Sequence, residues 1–351
     1  MVSSTTAPKS TSPESRPSAG ASRRRLRDRF LGVVRRAEFG ALVGTLVVYG
    51  FFVVTAHSSG FVTLAGTASW LDTAAELGIL AVPVALLMIA GEFDLSVGSV
   101  IGATSMILSV STTTYHWPLW LALIAVFAFG AAVGLVNGLL TTRTGLPSFI
   151  VTLVTYLSVS GAALGISVFA AGSTSVSLNT ASGLRPVFAS NWHELNVSIL
   201  WWIAVVIVGG WVLARTRFGN WVYATGGEEE AARYAGIPTN RVKITMFIAT
   251  ATGAVLVATL QTTEFSGGEV GRGQSFVFNS IIAVVIGGVL LKGGYGSAIG
   301  AALGAMTYGI VSIGIFYTGW DTNWVQLFLG GLLLVAVLAN DYFRKLALAA
   351  R

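Results

Sequence analysis

The chain has 351 residues, 54% of them hydrophobic and 10% charged; a soluble domain carries about 25% charged residues, so the composition excludes an ordinary water-soluble protein and indicates a membrane chain. It has no cysteine, which excludes disulfides, thiolate metal sites and thiol catalysis. The net charge of +6 does not indicate nucleic acid, because the charges are sorted by membrane side. Residues 1–22 are rich in Ser, Thr, Pro and Ala with no apolar period and should be disordered. The basic run Arg23-Arg24-Arg25-Leu26-Arg27-Asp28-Arg29 follows, then Arg35 and Arg36. A cleaved signal peptide has its basic region at the start and a small-residue cleavage site. This run is late and no A-x-A site follows, so residues 1–37 read as a basic cytoplasmic tail before a retained first helix, suited to anionic lipid.

About 20 apolar residues cross the hydrocarbon core. Ten runs of that kind fall at about 38–56, 73–91, 96–114, 118–141, 147–170, 198–214, 243–263, 275–291, 296–316 and 324–342, leaving 343–351 as a C-terminal tail. A stretch near 61–71, with Trp70 and then Asp72, is too short to span and reads as interfacial. His57, His116 and His193 all fall in loops without metal-ligand spacing. With the N-terminus in the cytoplasm, ten spans return the C-terminus there and place 19 of the 21 basic residues inside, leaving only Arg185 and Arg272 outside. Such asymmetry is the positive-inside pattern. The expected fold is an all-α polytopic membrane protein with both termini cytoplasmic, its permease domain spanning 38–342.

Small residues recur at spacing four: Gly130, Gly134 and Gly138 in the fourth span, Gly296, Gly300 and Gly304 in the ninth. Such faces let helix backbones approach closely in lipid, within the bundle or at a dimer contact. Gly98-Ser99-Val100-Ile101-Gly102-Ala103 is echoed by Gly296-Ser297-Ala298-Ile299-Gly300-Ala301, a trace of internal duplication. Before the third span, Gly91-Glu92-Phe93-Asp94-Leu95-Ser96 sets two carboxylates between apolar runs. A charge at bilayer depth costs at least about 2.5–3.5 kcal/mol, so these groups need a boundary, a protein-lined cavity or a partner. Asp94 or Ser96 is suited to cap the next helix; Glu92 is a candidate for the pathway or its gating.

The largest polar loop, 215–242, contains Gly226-Gly227-Glu228-Glu229-Glu230-Ala231-Ala232-Arg233-Tyr234-Ala235-Gly236-Ile237. The glycine pair frees the chain, the three glutamates suit a helix N-terminus, Arg233 comes later, and Gly236 followed by Pro238 ends the helix. Two turns of helix are not stable alone in water, so this one needs a groove to lie in.

Glu230-Ala231-Ala232-Arg233-Tyr234-Ala235-Gly236 resembles the E-A-A-x-x-x-G element of ATP-binding-cassette (ABC) importer permeases. Gly91 to Ser99 resembles the G-G-I-D-L-S-V-G-S segment of their ribose-type monosaccharide members. Asn137-Gly138-Leu139-Leu140 with Leu146 to Leu153, Phe218 to Ile237, and Ile282 to Gly288 with Gly293 to Ser297 are similar to further segments of the same proteins, in the same order. Departures are Glu92, where the family usually has Gly, Asn279 near its Asp, and Lys292 and Tyr295 before the ninth span. The resemblance implies that residues 226–237 form a coupling helix on a separate cassette ATPase that carries the ATP and Mg. It also implies an extracytoplasmic binding protein, a second permease copy (identical or a paralogue), and a plasma-membrane location in a bacterium. The solute it implies is a monosaccharide or a related polyol; a nucleoside is the alternative within the class.

No G-x-x-x-x-G-K-[ST] occurs in the chain, so ATP is not expected to bind here through a P-loop. No cofactor and no catalytic residue are expected. Asn137 and Asn279 join Glu92, Asp94 and Ser96 as pathway candidates. Arg185, Glu264, Glu269, Arg272 and Asp321 are candidates for contact with a binding protein, and the loop tryptophans suit a membrane-interface belt. The competing reading is an ion-coupled secondary transporter, which needs ionisable residues inside helices; Glu76 is the nearest to one.

Overall fold

The computed structural model of the protein describes residues 37–178, 183 and 185–349. The tail 1–36 with its arginine run, and Arg351, lie outside the described residues. Each apolar run becomes a helix: α1 Ala37–Ala56, α2 Leu64–Ile89, α3 Val97–Ser109 (prolonged by a π-helical turn to Thr114), α4 Leu119–Thr144 and α5 Ser148–Ala171. After β1 Ser175–Ser177, α6 Arg185–Phe188, β2 Asn191–Trp192 and β3 Leu195–Asn196 come α7 Ser198–Arg215, α8 Arg217–Gly227 and α9 Glu229–Tyr234. The chain continues as α10 Thr239–Glu264, β4 Gly267–Glu269, α11 Gln274–Ile286, α12 Ala298–Thr318 and α13 Trp324–Ala349. Among the described residues eight helices are long and apolar enough to cross a membrane; α11 and the Trp324–Ala339 part of α13 are shorter apolar helices. This is an all-α polytopic fold, and the ten expected runs correspond one to one with its apolar helices.

The stretch 61–71 is not a separate interfacial segment. Thr63 accepts a hydrogen bond from the Gly66 N–H at 3.2 Å and starts α2 there, so one helix of 26 residues runs about 39 Å. Trp70 is buried against α1 and α12 rather than lying at a lipid boundary. The α2 helix is the axis of the fold: 83% of its most apolar window is inside the protein, against 17% for α5 and 22% for α1, α4 and α7. Those four helices turn Leu46, Val54, Ile124, Phe169 and Ile207 outward. An exposed apolar face on a spanning helix suits lipid or the apolar face of another spanning helix. Pro83 interrupts the α2 ladder, and Gly253 of α10 leaves room beside its ring: a Cβ there would lie 2.8 Å from Pro83 Cγ.

Both glycine faces are consumed inside the chain. Gly130, Gly134 and Gly138 of α4 lie on Val255, Phe247 and Ile244 of α10. Gly300 and Gly304 of α12 lie on the Gly287 and Ala283 carbonyls at the end of α11. Gly296 does not belong to the α12 face: it precedes the helix, at φ 147°, against Val289.

At one end of the bundle, chain segments expected to be plain loops are ordered by short ladders. β1 pairs antiparallel with β4 (Ser175 opposite Glu269), and β2 with β3 (Asn191 opposite Asn196). These strands are too short for periodicity to announce them.

A Cβ on Gly304 would lie 1.8 Å from the Ala283 carbonyl oxygen, whereas nothing lies within 4 Å of Gly165. Gly304→Val should therefore destabilise the protein by about 1–3 kcal/mol or more, and Gly165→Ala should not. Thermal unfolding of the two detergent-solubilised variants checks this; equal midpoints would refute the packing assignment.

Candidate functional site: the loop helix and the turn beneath it

The helix α8 is amphipathic. Thr216 caps it by accepting from the Gly219 N–H at 3.1 Å, and the stripe Gly219, Val222 and Thr225 is buried. Gly226 and Gly227 therefore do not loosen the chain; they form the last residues of this helix. A Cβ on Gly226 would lie 1.8 Å from the Ile89 carbonyl oxygen, so only glycine lets the main chain pass over the end of α2. The turn from Gly287 to Ser297 crosses at the same place: Gly294 N–H donates to the Ile89 carbonyl at 2.8 Å, and a Cβ on Gly293 would fall 2.9 Å from Gly91 Cα. The Tyr223 hydroxyl closes the crossing by donating to the Gly296 carbonyl at 2.8 Å.

Above the crossing projects α9. It is six residues long, with Glu228 at the N-cap and Glu229 and Glu230 in its first turn. Two turns were expected with all three glutamates in the first; Glu228 stands just outside, at the cap. Ile237 N–H returns to the Ala232 carbonyl and Gly236 N–H to the Arg233 carbonyl, both at 3.0 Å, with Gly236 at φ 82°. This is the Schellman end that a left-handed glycine permits. Ala232 is buried, whereas Glu230, Ala231, Arg233 and Tyr234 are exposed, Tyr234 to 91%. The helix thus has one face on the bundle and one open.

Charge fastens it. Lys243, one turn into α10, places its Nζ 2.6 Å from Glu92 Oε1 and 2.7 Å from Glu229 Oε2. Arg233 lies 2.6 Å from Glu229 Oε1 and donates through Nε to Thr239 Oγ1 at 3.0 Å. Burial would raise the Glu229 carboxyl, but the Lys243 ammonium and the Arg233 guanidinium outweigh it and hold it below the usual 4.5.

Two residues beyond Glu92, Asp94 is buried in a polar knot. Its Oδ1 accepts from Ser96 N–H (2.9 Å) and Ser96 Oγ (2.6 Å), and its Oδ2 from Thr250 Oγ1 of α10 (2.9 Å). Burial raises its carboxyl above the ordinary range, against those hydrogen bonds. Asn137 of α4 donates to Ser96 Oγ at 2.8 Å and accepts from Thr155 of α5 at 2.6 Å. Ser148 at the start of α5 accepts from the Phe93 N–H at 3.1 Å. Capping falls to Asp94 in part: its Oδ1 accepts the N–H of Ser96, the N-cap of α3, whereas Ser96 makes no side-chain cap bond of its own and the second Asp94 oxygen goes to another helix.

The structure brings together Glu92, Asp94, Ser96, Asn137 and Glu229. It does not bring in Asn279, which donates to the Tyr308 hydroxyl at 2.8 Å and ties α11 to α12. Lys243, Thr250, Thr155 and Ser148 escaped the sequence reading. Lys243 carries the one legible signal, an ammonium at the start of an apolar run that requires a carboxylate partner.

At the opposite end, two of the five surface candidates face inward. Arg272 donates to the Gln261 carbonyl at 2.9 Å and lies 5.0 Å over the Phe265 ring. Glu264 reaches Asn196 and Glu76. Arg185, Glu269 and Asp321 are exposed; Arg185 reaches Ser266 Oγ at 3.4 Å, and Asp321 accepts from the Asn323 N–H at 2.8 Å.

Fold and site define a multi-pass membrane protein whose buried polar groups gather beneath one projecting helix. The family described as "Branched-chain amino acid transport system / permease component" matches residues 66–337, and the chain belongs to it. A fructose import permease of Rhizobium meliloti is 30% identical over 313 residues, covering 87% of this chain and 85% of its own. The ribose import permease of Escherichia coli K12 is 28% identical over 315 residues (87% and 94%). An inner-membrane ABC transporter permease of the same strain is 30% identical over 292 residues (83% and 88%). No solved structure matches the chain. The protein is an ABC-import permease component of the bacterial inner membrane, and the ATPase of such a system is a separate subunit.

A depressed carboxylate stabilises the fold above its unfolded value and ceases to do so as pH falls through its folded one. The ties of Glu229 should thus hold at neutral pH and be lost below the usual 4.5. Amide exchange in residues 229–236, corrected for intrinsic rate, should quicken between about pH 6 and about pH 3 more than exchange in α2 does. Equal protection at both values would show that charge does not hold this helix.

Proposed function

We propose that the chain is the permease subunit of an ABC importer for a monosaccharide or related polyol, and that α9 is its coupling helix. The observation that carries this reading is α9 itself: a capped helix, open on one face, seated on a glycine crossing and bonded to the bundle by charge. Fructose and ribose in the names of two relatives support the solute class. The distribution of basic residues supports a cytoplasmic position for α9: Arg143, Arg215, Arg217, Arg241 and Lys292 belong to loops and helix ends on its side.

On this reading a second permease copy, identical or a paralogue, completes the membrane domain. A cassette ATPase carrying ATP and Mg grips α9 from the cytoplasm, and an extracytoplasmic binding protein delivers the solute to the opposite end. Arg185, Glu269 and Asp321 are the exposed charges available there. Closure of the ATPase displaces α9, and the bundle exchanges outward for inward access. No chemistry on the solute is required of this chain.

Gly236 supplies the test. Nothing lies within 4 Å of a Cβ there, but its φ of 82° is strained for any L side chain. Gly236→Val should reshape the end of α9 without disturbing the bundle. In proteoliposomes holding the whole importer, ATP-driven uptake should fall about tenfold, the size of an ordinary coupling free energy, while insertion is unchanged. Wild-type uptake in this variant would remove α9 from the coupling role. Wild-type uptake that survives an inactive ATPase would instead favour an ion-coupled transporter, with Glu76, held by Gln261 Nε2 at 2.8 Å, as its inner carboxylate.

A further inference from the structure

Lys243 bridges two carboxylates on two different segments, and the exposures of the pairs differ. Lys243 and Glu92 side chains are each only 11% exposed, whereas Arg233 is 55% and Glu229 33% exposed. An exposed pair breaks and reforms in water with little change in free energy. A pair shielded from water does not, because each charge would be left without its partner. The inner Lys243–Glu92 bond is therefore the stronger link and the outer bonds of Glu229 the weaker ones.

Glu92 also occupies a special place. Its backbone follows the crossing at Gly91 and precedes the Phe93 N–H that bonds Ser148 of α5. Asp94, two residues on, joins Thr250 of α10 and, through Ser96, Asn137 and Thr155, the helices α4 and α5. Any force on Glu92 is delivered to a turn that touches three spanning helices.

We propose that Lys243 is a positioning residue that makes the loop helix and the turn 90–96 move as one body, so that a displacement of α9 reaches α4 and α5 through Glu92 and the Asp94 knot. The proposal rests on the importer reading and adds the route by which the stroke enters the bundle. Without Lys243, nothing joins Glu229 to Glu92: α9 stays on α10 through Arg233 and Thr239 and through the buried Ala232, but loses its tie to the turn 90–96. Without Glu92, Lys243 keeps Glu229 but no longer holds the turn.

The experiment uses the complete importer, permease with its ATPase and binding protein, in proteoliposomes. Uptake of whichever of labelled ribose and labelled fructose the wild type carries, and ATP hydrolysis, are measured on the same preparations of wild type, Lys243→Gln, Glu92→Gln, Lys243→Arg and the double variant Glu92→Gln/Lys243→Gln. Uptake per ATP should fall about tenfold in each single glutamine variant while ATP hydrolysis continues. It should fall no further in the double variant, as expected of two residues acting through one bond. Lys243→Arg, which keeps both ion pairs, should stay near wild type. A wild-type uptake-to-hydrolysis ratio in assembled Lys243→Gln and Glu92→Gln complexes would overturn the proposal. Should the single variants fail to assemble, the double variant decides, because it leaves neither Lys243 nor Glu92 as an unpaired buried charge; a wild-type ratio there is equally fatal. Absence of ATP-dependent uptake in wild type itself would overturn the importer reading first, an outcome distinct from a coupled wild type with coupled variants.

Discussion

Three stretches of main chain meet at the end of α2, at Gly91, Gly226 and Gly293-Gly294, and their approach sets much of what happens around them. Each stretch belongs to a different part of the sequence: the turn into α3, the end of the amphipathic helix α8 and the turn into α12. A Cβ on Gly226, Gly293 or Gly294 would overlap a neighbouring backbone, and Gly91 stands at φ 89°, a conformation L side chains rarely adopt. The result is a platform of closely packed backbone, closed by the Tyr223 hydroxyl. The loop helix stands on it, and α3 and α12 start from it. In lipid, where apolar side chains gain little by leaving hydrocarbon, close backbone packing of this kind is a principal means of holding helices together.

The polar groups follow from the same place. Glu92, Asp94, Ser96, Asn137, Thr155, Thr250 and Lys243 cluster just beyond the platform, each with a hydrogen-bond or ion-pair partner. A buried carboxylate without partners would be prohibitive in such an environment. Shared among α3, α4, α5 and α10, these groups satisfy one another and also fix the relative placement of those helices. Lipid-facing helices such as α5 carry few internal contacts of their own, so the polar ties at Ser148 and Thr155 are disproportionately important to where α5 sits.

Much of this was legible in the sequence. Length and hydropathy located every apolar helix, because about 20 apolar residues suffice for a span, but not every end: α11 stops at Ile286 rather than 291, and α13 runs on to Ala349 through the stretch expected to be a tail. The Gly236–Pro238 stop was legible because left-handed glycine and proline act locally. The α2 start at Leu64 was missed because small and polar residues such as Gly66, Thr67, Ser69 and Asp72 depress hydropathy in a helix end that is nevertheless packed against α1 and α12. The inward turn of Arg272 and Glu264 was missed because a charged residue near a helix end looks the same whether it meets water or a buried carbonyl.

By itself the sequence determined the membrane character, the number of apolar helices and the capped loop helix, since composition, run length and local backbone preference depend on near neighbours only; the family was legible through the resemblance of its motif series. Only the tertiary structure decided that Gly226 lies on Ile89, that Asp94 reaches Thr250 156 residues away, and that Lys243 answers both Glu92 and Glu229. Those contacts join segments far apart in the chain, and no local period or spacing records which distant group will share a small, water-poor space.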